Sequence, residues 1–411
     1  MSELEKVFER IDSYRDDVIK LQAGLTSRIA LGPDNEGTGE HEKIAFVKDL
    51  LKGFDPDFLE EIKAPDERAH DGYRPSLVAG WGEMQDQSSV WVLSHADIVP
   101  PGDFSLWESD PYQIKVEGDR IFGRGVEDNQ HGFVSSYLAL KAVLGSDHDT
   151  LRPVCLAIVA DEETGSKYGL QYLLQHHKDL FKKDDLIVVP DAGNEEGTMI
   201  EVAEKSMLWI RFIVIGKQCH ASTPGKGKNS LFGAASLIVA LDQLKARFNL
   251  SDDLFSPSVS TFEPTKMEAN VPNVNTIPGR NIFYLDCRIL PLYKVDEILA
   301  ACKEIGAGIG KELGLQIEVK AAHREDAAEP TSPDAPVVKA LIKAIRKVTG
   351  KNAKPMGIGG GTVAAFFRKA GLPAAVWSTI SETAHQPNEY CLISSILTDA
   401  KILACLYLDE S

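Results

Sequence analysis

Side chains that can bind a divalent metal recur where the apolar, strand-forming runs of this sequence end. The run at 90–93 leads into SHADIVP, and a histidine and an aspartate two residues apart on an extended chain point to the same side of a sheet. Later runs end in DEETG and PDAG, and two further loops contain GRGVED and TAHQPNE. These stretches supply the candidate ligands His95, Asp97, Asp128, Glu162, Glu163, Asp191 and His385.

Two histidines and several carboxylates without a cysteine are typical of zinc, with cobalt or manganese as alternatives. Two such ions about 3.5–4 Å apart can share one carboxylate and a water or hydroxide, which provides a nucleophile and a Lewis acid. The water also needs a base. Glu162 and Glu163 suit this division because neighbouring side chains diverge, so one can bind metal while the other faces the water. Chance clustering of acids at strand ends is the alternative interpretation.

Candidate substrate-binding residues lie elsewhere. The planar fork of Arg288 fits a carboxylate, although a structural salt bridge with Asp286 or another acid is an equally good interpretation. Asn275 is a second candidate. The glycine-rich loop 357–362, with Gly360, could bring its backbone to a substrate carboxylate, and it lacks the Lys-Ser/Thr ending of a P-loop. Other histidines have no paired ligand at useful spacing and are expected to be solvated: His41, His70, His148, His176, His177 and His323.

The elements that must position the ligands form an α/β pattern. Strands are predicted at 77–81, 90–93, 112–116, 120–122, 151–160 and 186–190. Helices are predicted at 4–31 as one long element, with a break inside it as the alternative, and at 40–53, 133–144 and 167–177. A near-continuous apolar strand is covered on both faces of its sheet. Where such strands alternate with helices and end in acids, the site is expected at the strand ends. The sequence therefore predicts a mixed sheet flanked by helices.

The pattern changes near residue 207. Strands are predicted at 207–215, 258–262, 281–290 and 315–321, with helices at 229–250 and 294–313. This βαββαβ order matches a ferredoxin-like module. The α/β pattern then resumes with helices at 336–349, 363–370 and 393–408 and a strand at 374–378. We therefore predict a metal-binding catalytic domain of residues 1–206 and 326–411, interrupted by an inserted domain of residues 207–325.

Composition narrows the class of protein. The chain has 411 residues and a net charge of −17, from 44 basic and 61 acidic residues, which argues against nucleic acid or an anionic membrane as a partner. Most of the acidic surplus is expected on the solvated surface. No apolar run approaches the roughly 18 residues that span a bilayer. The six scattered cysteines and the lack of a signal-peptide core predict a cytoplasmic protein.

Six motifs, in this order, resemble a known family: SHADIVP, GRGVEDNQHG, ADEETGS, VPDAG, QCHAST and TAHQPNE. They are similar to motifs of the co-catalytic metallopeptidases that include acetylornithine deacetylase, succinyl-diaminopimelate desuccinylase, aminoacylase, carnosinase and glutamate carboxypeptidase. The match covers nearly the full chain. The resemblance implies a zinc-peptidase α/β domain interrupted by a ferredoxin-like lid, through which two chains form a homodimer.

The resemblance also implies a ligand set for two divalent metal ions. His95 and Asp191 would bind one ion, and Asp128 would bridge to the second. A cis peptide bond is expected directly after Asp128. The second ion would be completed by Glu163 and His385.

Three catalytic roles are carried over from the same motifs. Glu162 would be the general base, and Asp97 would be the acid oriented against His95. His220 would reach the active site of the partner subunit and stabilise the oxyanion, as an oxyanion-hole donor does. A surface histidine at a strand end is the alternative interpretation of His220.

The sequence thus predicts a di-metal hydrolase that cleaves an amide bond beside a free carboxylate, through a metal-bound hydroxide and a glutamate base. Its substrate would be a short peptide or an N-acyl amino acid, as for a dipeptidase, a carboxypeptidase or a desuccinylase. The metal motifs do not distinguish among these substrates. The alternative is a non-catalytic, metal-binding dimeric scaffold of the same fold. A pyridoxal-phosphate transferase is a third interpretation, but no lysine lies in a supporting constellation.

Overall fold

The apolar runs that precede His95 and Asp161 form adjacent strands that are buried at every position. The structure is a computed structural model that describes residues 2–83, 87–146 and 152–409. Its strands are β1 (Phe58–Pro65), β2 (Tyr73–Trp81), β3 (Val90–His95), β4 (Lys115–Glu117), β5 (Arg120–Phe122), β6 (Val154–Val159), β7 (Leu186–Val189), β8 (Met199–Glu204), β9 (Ser206–Ile215), β10 (Cys219–His220), β11 (Thr261–Met267), β12 (Thr276–Ile277), β13 (Arg280–Ile289), β14 (Gln316–Glu325), β15 (Lys354–Ile358), β16 (Ala374–Val376) and β17 (Tyr390–Leu392). Its α-helices are α1 (Glu3–Asp12), α2 (Arg15–Thr26), α3 (His41–Lys52), α4 (Gln130–Leu144), α5 (Leu170–His176), α6 (Ser230–Leu241), α7 (Gln243–Arg247), α8 (Val295–Leu313), α9 (Pro336–Thr349), α10 (Ala364–Lys369) and α11 (Ile393–Tyr407).

The chain forms two compact units. Unit 1 comprises Met1–Val202, Thr331–Met356 and Val363–Ser411, and unit 2 comprises Ala203–Pro330 and Gly357–Thr362. The described residues contain no helix that is both long and apolar enough to cross a membrane.

An eight-stranded mixed sheet runs through unit 1 in the order β1-β2-β6-β3-β7-β16-β8-β15. Its central strands β6, β3, β7 and β16 are parallel, whereas β1 pairs antiparallel with β2, and β2 with β6. The carboxyl ends of the central strands therefore meet at one edge of the sheet.

Both faces of the unit 1 sheet are covered, as the apolar strands require. On one face, Trp91 and Leu93 of β3 pack in a core with Leu170 and Leu173 of α5 and Phe367 of α10. Helix α4 contacts β3 and packs against α11, and α9 contacts β7. The predicted α/β fold with a large mixed sheet flanked by helices is confirmed.

Unit 2 contains a four-stranded antiparallel sheet in the order β11-β13-β9-β14. Helix α6 contacts β13 and β9, while α8 contacts β14. The rings of Phe212 in β9 and Phe283 in β13 stack with their centroids 4.8 Å apart, at the centre of this core. A two-stranded ribbon of β10 and β12 belongs to the same unit.

Several predicted bounds are wrong. The element predicted at 4–31 ends at Thr26 and has the break that was the alternative, because the Ser13 N–H bonds to the carbonyls of Arg10 and Ile11 and closes α1. The helix predicted at 229–250 likewise ends and restarts at Asp242. Strands β1, β8, β10, β12, β15 and β17 were not predicted, and the strand expected at 258–262 lies at Thr261–Met267. Leu151 and His148, named in the sequence analysis, lie outside the described residues.

Candidate metal centre

Three neighbouring parallel strands bring five of the predicted ligand positions to one edge of the unit 1 sheet. His95 is the last residue of β3, and Asp97 follows two residues later. Glu162 and Glu163 open a short 3-10 turn after β6. Asp191 lies two residues after β7. Ligand groups at the carboxyl ends of adjacent strands are the expected arrangement in an open α/β sheet.

Asp128 lies between two histidines. Its Oδ1 is 2.9 Å from His95 Nε2, and its Oδ2 is 2.9 Å from His385 Nε2. Asp128 precedes α4, and the peptide bond that follows it is cis, as expected. His385 lies between β16 and β17 and has a φ of +62°. One carboxylate thus presents a different oxygen to each imidazole.

A second carboxylate lies beside each of these histidines. Asp191 Oδ1 is 3.4 Å from His95 Nε2, and Glu163 Oε2 is 3.1 Å from His385 Nε2. Ligand atoms of His95, Glu162 and Asp191 lie within 4.8 Å of one another, and so do those of His95, Asp128 and Glu163. The predicted ligands therefore form one contiguous group with Asp128 at its centre.

Asp97 contacts His95, as expected, and also contacts the turn that contains Glu162 and Glu163. The ring nitrogen Nδ1 of His95 is 3.0 Å from the main-chain carbonyl oxygen of Asp97 and 3.5 Å from its carboxylate. The two carboxylate oxygens accept the backbone N–H groups of Glu162 and Glu163, at 3.0 and 3.1 Å. Asp97 therefore orients His95 through its backbone and holds the glutamate turn through its side chain.

Two buried acids that were not assigned a role hold the loops around Asp128. Glu389 accepts the N–H groups of Gly125, Glu127 and Asp128 at 2.9–3.1 Å, and its carboxylate pairs with Arg124 at 2.6 Å. Glu127 accepts N–H groups from the loop that contains His385. Both glutamates occur inside the recognised motifs GRGVED and TAHQPNE, which is the signal that could have identified them.

The residues present fit divalent cations. The donor set is two imidazoles and three carboxylates, which suits zinc, manganese or cobalt. Glu163 Oε1 is buried without a hydrogen-bond partner among the described residues. Buried carboxylates are paired or bind metals, so this oxygen and the clustered negative charge favour a cation here. His95, Asp191 and Asp128 would hold one ion, and His385, Glu163 and Asp128 the other.

Comparisons with known proteins agree with this geometry. The family model for Peptidase family M20/M25/M40 matches residues 91–409. The chain belongs to this family. An uncharacterized metallohydrolase from Methanococcus maripaludis is 38% identical, with 97% of this chain and 99% of the relative covered. A succinyl-diaminopimelate desuccinylase from Sulfurovum sp. is 25% identical, with 92% and 95% covered. The solved structure of aminopeptidase PepT from Bacillus cereus has a TM-score of 0.75 at 19% identity, with 96% and 98% covered.

Membership of the M20 family confirms the resemblance read from the motifs. The protein is a hydrolase that acts on amide or peptide bonds, and its family uses divalent metal ions. The interpretation as a non-catalytic scaffold therefore lacks support, and so does that of a pyridoxal-phosphate transferase.

Charges in the centre of this M20 protein perturb one another strongly. Burial lowers the pKa of His95, but hydrogen bonds with Asp128 and then Asp191 outweigh burial and raise it well above its usual range. Hydrogen bonds with Asp128 and Glu163 raise the pKa of His385 to about 10. Burial, and then the charge of Asp191, raise the pKa of Glu162 well above its usual range. Protons and cations therefore compete for the same imidazole nitrogens.

Two of the predicted residues of unit 2 lie together. His220 of β10 is exposed and pairs with Thr276 of β12, next to Asn275. The Ser222 N–H donates to His220 Nδ1 at 3.1 Å. An imidazole that accepts at Nδ1 carries its proton on Nε2, so His220 presents an N–H donor to solvent. The Asn275 side chain accepts a hydrogen bond from Asn273 at 2.6 Å.

Arg288 forms the structural salt bridge that was the alternative to substrate binding. Its Nε and Nη2 donate to the two oxygens of Asp286 at 2.8 and 3.1 Å, and its Nη1 donates to the Gly359 carbonyl at 3.0 Å. A Cβ added at Gly360 would meet nothing within 4 Å, whereas one added at Gly357 would lie 2.3 Å from the Phe255 ring. Close packing in this loop therefore requires glycine at position 357 and leaves space around Gly360.

Proposed function

We propose that this M20 enzyme uses two divalent ions, zinc with cobalt or manganese as alternatives, to cleave an amide bond next to a free carboxylate. The substrate would be a short peptide or an N-acyl amino acid, which agrees with the desuccinylase and aminopeptidase names of its relatives. The observation that carries the proposal is Asp128, which offers one oxygen to each of two histidines that each have a second carboxylate.

Two ions held by this group would polarise the substrate carbonyl and make water more acidic. Glu162 is the proposed base, and it lies beside His95 and Asp191. Burial raises its pKa above the usual range of a glutamate, which makes the carboxylate a better proton acceptor. Glu162 takes a proton as the water oxygen bonds to the carbonyl carbon. It returns the proton to the leaving nitrogen as the C–N bond breaks, which gives a carboxylic acid and an amine, and the acid then transfers its proton to the amine.

His220 is proposed to donate its Nε2–H to the carbonyl oxygen as negative charge develops there. The hydrogen bond from the Ser222 N–H supports this role because it fixes the tautomer that can donate. We further propose that His220 acts on the active site of the partner subunit in a homodimer.

Residues 207–325 are proposed to be a ferredoxin-like lid and dimerisation domain inserted in a catalytic domain of residues 1–206 and 326–411. The strand order β11-β13-β9-β14 with its two helices supports this assignment, since it follows the split-βαβ arrangement. The six free cysteines agree with a cytoplasmic location, which we also propose.

Asn275 and Gly360 are proposed to contact the substrate carboxylate. Asn275 is adjacent to His220, and the space around Gly360 leaves its backbone N–H approachable. For Arg288, the bidentate bond to Asp286 reduces the positive charge available to an anion. We therefore assign Arg288 a positioning role, in which it fixes the glycine-rich loop through Gly359.

The first test is Glu162→Gln. The variant should lose at least about 100-fold in kcat on a panel of dipeptides and N-acyl amino acids while its metal content stays at the wild-type value, because general-base contributions reach about 10²–10⁴-fold. Glu60→Gln, an exposed glutamate of β1, is the matched control. Retained hydrolysis by Glu162→Gln would remove Glu162 from this role.

The second test is complementation. We expect Glu162→Gln and His220→Ala each to be nearly inactive alone. The two variants are then mixed under conditions in which hybrid dimers form. If His220 acts in the partner subunit, each hybrid has one intact site, and random pairing restores about a quarter of wild-type activity in a symmetric dimer. No recovery in proven hybrids would assign His220 to its own chain.

A further inference from the structure

A second group of metal-ligand side chains lies in unit 1, on residues that the sequence pattern placed at the solvated surface. Ligand atoms of His41, His70 and Asp71 lie within 4.8 Å of one another. The rings of His41 and His70 meet edge to face with centroids 5.1 Å apart. His70 Nδ1 is 3.2 Å from Asp71 Oδ2. None of these residues belongs to the group around Asp128.

The main chain holds the two histidines next to each other. His41 is the first residue of α3 and follows Glu40, whose buried carboxylate pairs with Arg74. His70 begins a short 3-10 turn, and its N–H donates to the Thr38 carbonyl at 2.9 Å. The loop before α3 and the turn before β2 are thus bonded directly. Their proximity does not depend on either imidazole.

The His41 ring lacks hydrogen bonds despite its position. Both of its nitrogens are buried and have no hydrogen-bond partner among the described residues. The ring packs edge to face on Tyr73, with centroids 4.7 Å apart. It also lines a cavity of about 480 Å³ together with His70 and Glu42. Buried polar atoms are almost always satisfied, so an imidazole of this kind calls for a ligand.

We propose that His41, His70 and Asp71 form a binding site for one divalent transition metal, separate from the centre at Asp128. Two imidazoles and a carboxylate are ligands that zinc, nickel, copper and cobalt accept. Ligands of a tetrahedral zinc lie about 3.3 Å apart, given bond lengths of about 2.0–2.1 Å. The side chains of His70 and Asp71 are 61% and 62% exposed, so they are free to rotate and close the remaining gap. Water or a group in the cavity would complete the coordination.

Zinc titration of the metal-loaded enzyme tests the proposal. Wild-type protein that has been loaded with its catalytic ions is titrated with Zn²⁺ in a calorimeter, and bound zinc per chain is measured by elemental analysis after desalting. The comparison is between wild type and His70→Ala, with Asp71→Asn as the second variant. His176→Ala, an exposed histidine of the same unit outside the group, is the matched control. Hydrolysis by each variant confirms that it is folded.

We expect His70→Ala to bind one zinc fewer per chain than wild type, or to bind it at least tenfold more weakly, while hydrolysis and the His176→Ala control remain at wild-type values. Asp71→Asn should weaken the same binding event. A crystal soaked in Zn²⁺ should show an anomalous peak between His41 and His70. Equal zinc binding by wild type and His70→Ala overturns the proposal, whatever the number of catalytic ions, because only the difference between the two proteins is used.

Discussion

Replacing Asp97 by asparagine separates the two ways in which this residue contacts the metal centre. The carboxylate accepts the N–H groups of Glu162 and Glu163, whereas the main-chain carbonyl contacts His95 Nδ1. Asparagine keeps the carbonyl contact and one of the two carboxylate bonds. Its amide nitrogen necessarily faces the other backbone N–H, so two donors confront each other in a site where Asp97 is 2% exposed.

The expected size of the effect follows from that single lost bond. Leaving a buried donor unsatisfied costs about 1–3 kcal/mol. At about 1.4 kcal/mol per factor of ten, this corresponds to roughly 5–150-fold in activity or metal affinity. Changing a residue that holds a metal ligand in place typically lowers metal affinity or activity by about 10–100-fold. We therefore expect Asp97→Asn to lower kcat by about 10–100-fold.

Metal affinity shows which contact matters. Competition with a chromophoric chelator should show weaker binding of the ion at Glu163 and His385, while the ion at His95 and Asp191 binds as in wild type. Asp103→Asn is the matched control, since Asp103 also accepts a backbone N–H but is exposed. Unchanged kcat and affinities, or weakening confined to the ion at His95, would refute the assignment of Asp97 to the glutamate turn.

Three further predictions follow from the same structure. Burial lowers the pKa of Lys43 to about 8, whereas the pKa of a lysine in the unfolded chain is about 10.4. The buried positive charge therefore destabilises the folded chain below pH 8, and this loss of stability disappears as the pH rises from 8 to about 10.4. The free energy of unfolding of Lys43→Met minus that of wild type, measured by denaturation, should therefore fall by about 3 kcal/mol between pH 7.5 and pH 10.5. The exposed Lys52→Met variant should show no such change. Glu127→Gln removes a carboxylate oxygen that accepts the Thr383 N–H and hydroxyl. The variant should lower kcat about tenfold while the metal ligands stay intact. Unchanged kinetics would show that Glu127 is a purely structural acid. Chelation should abolish hydrolysis, and zinc, cobalt or manganese should restore it; full activity in metal-free protein would exclude the proposed centre.

The proximity of the candidate metal ligands could be predicted because strand ends are visible in sequence. An apolar run that stops at a histidine or an acid marks a carboxyl end, and parallel strands bring such ends together. The structure accordingly places all seven candidates in one group. The order of the elements in residues 207–325 was also readable, since strands and helices differ in their hydrophobic period.

Contacts between residues far apart in sequence could not be predicted in the same way. His41 and His70 are 29 positions apart, and their segments are brought together by contacts such as the hydrogen bond between His70 and Thr38 and the ion pair between Glu40 and Arg74. In the sequence, Arg288 could bind either a substrate carboxylate or an acid such as Asp286. The structure shows Asp286, which lies two residues away on the same strand, and this choice depends on side-chain geometry. Strand β15 was not predicted, since its run Lys354–Ile358 contains proline and glycine, which disfavour strands in a pattern and yet are tolerated at the edge of the sheet.

Part of the acidic surplus of the chain is buried, and these buried acids hold the loops around the candidate metal ligands. Glu40, Asp97, Glu127 and Glu389 are at most 4% exposed, and each accepts main-chain N–H groups from a loop that contains or adjoins a metal ligand. A carboxylate that binds the backbone fixes the path of the loop and leaves the ligand side chain free to bind a cation. Such acids are costly to bury, and Arg74 and Arg124 neutralise only part of their charge. Divalent cations at Asp128 would offset more of it, so metal binding should stabilise the folded chain as well as activate it.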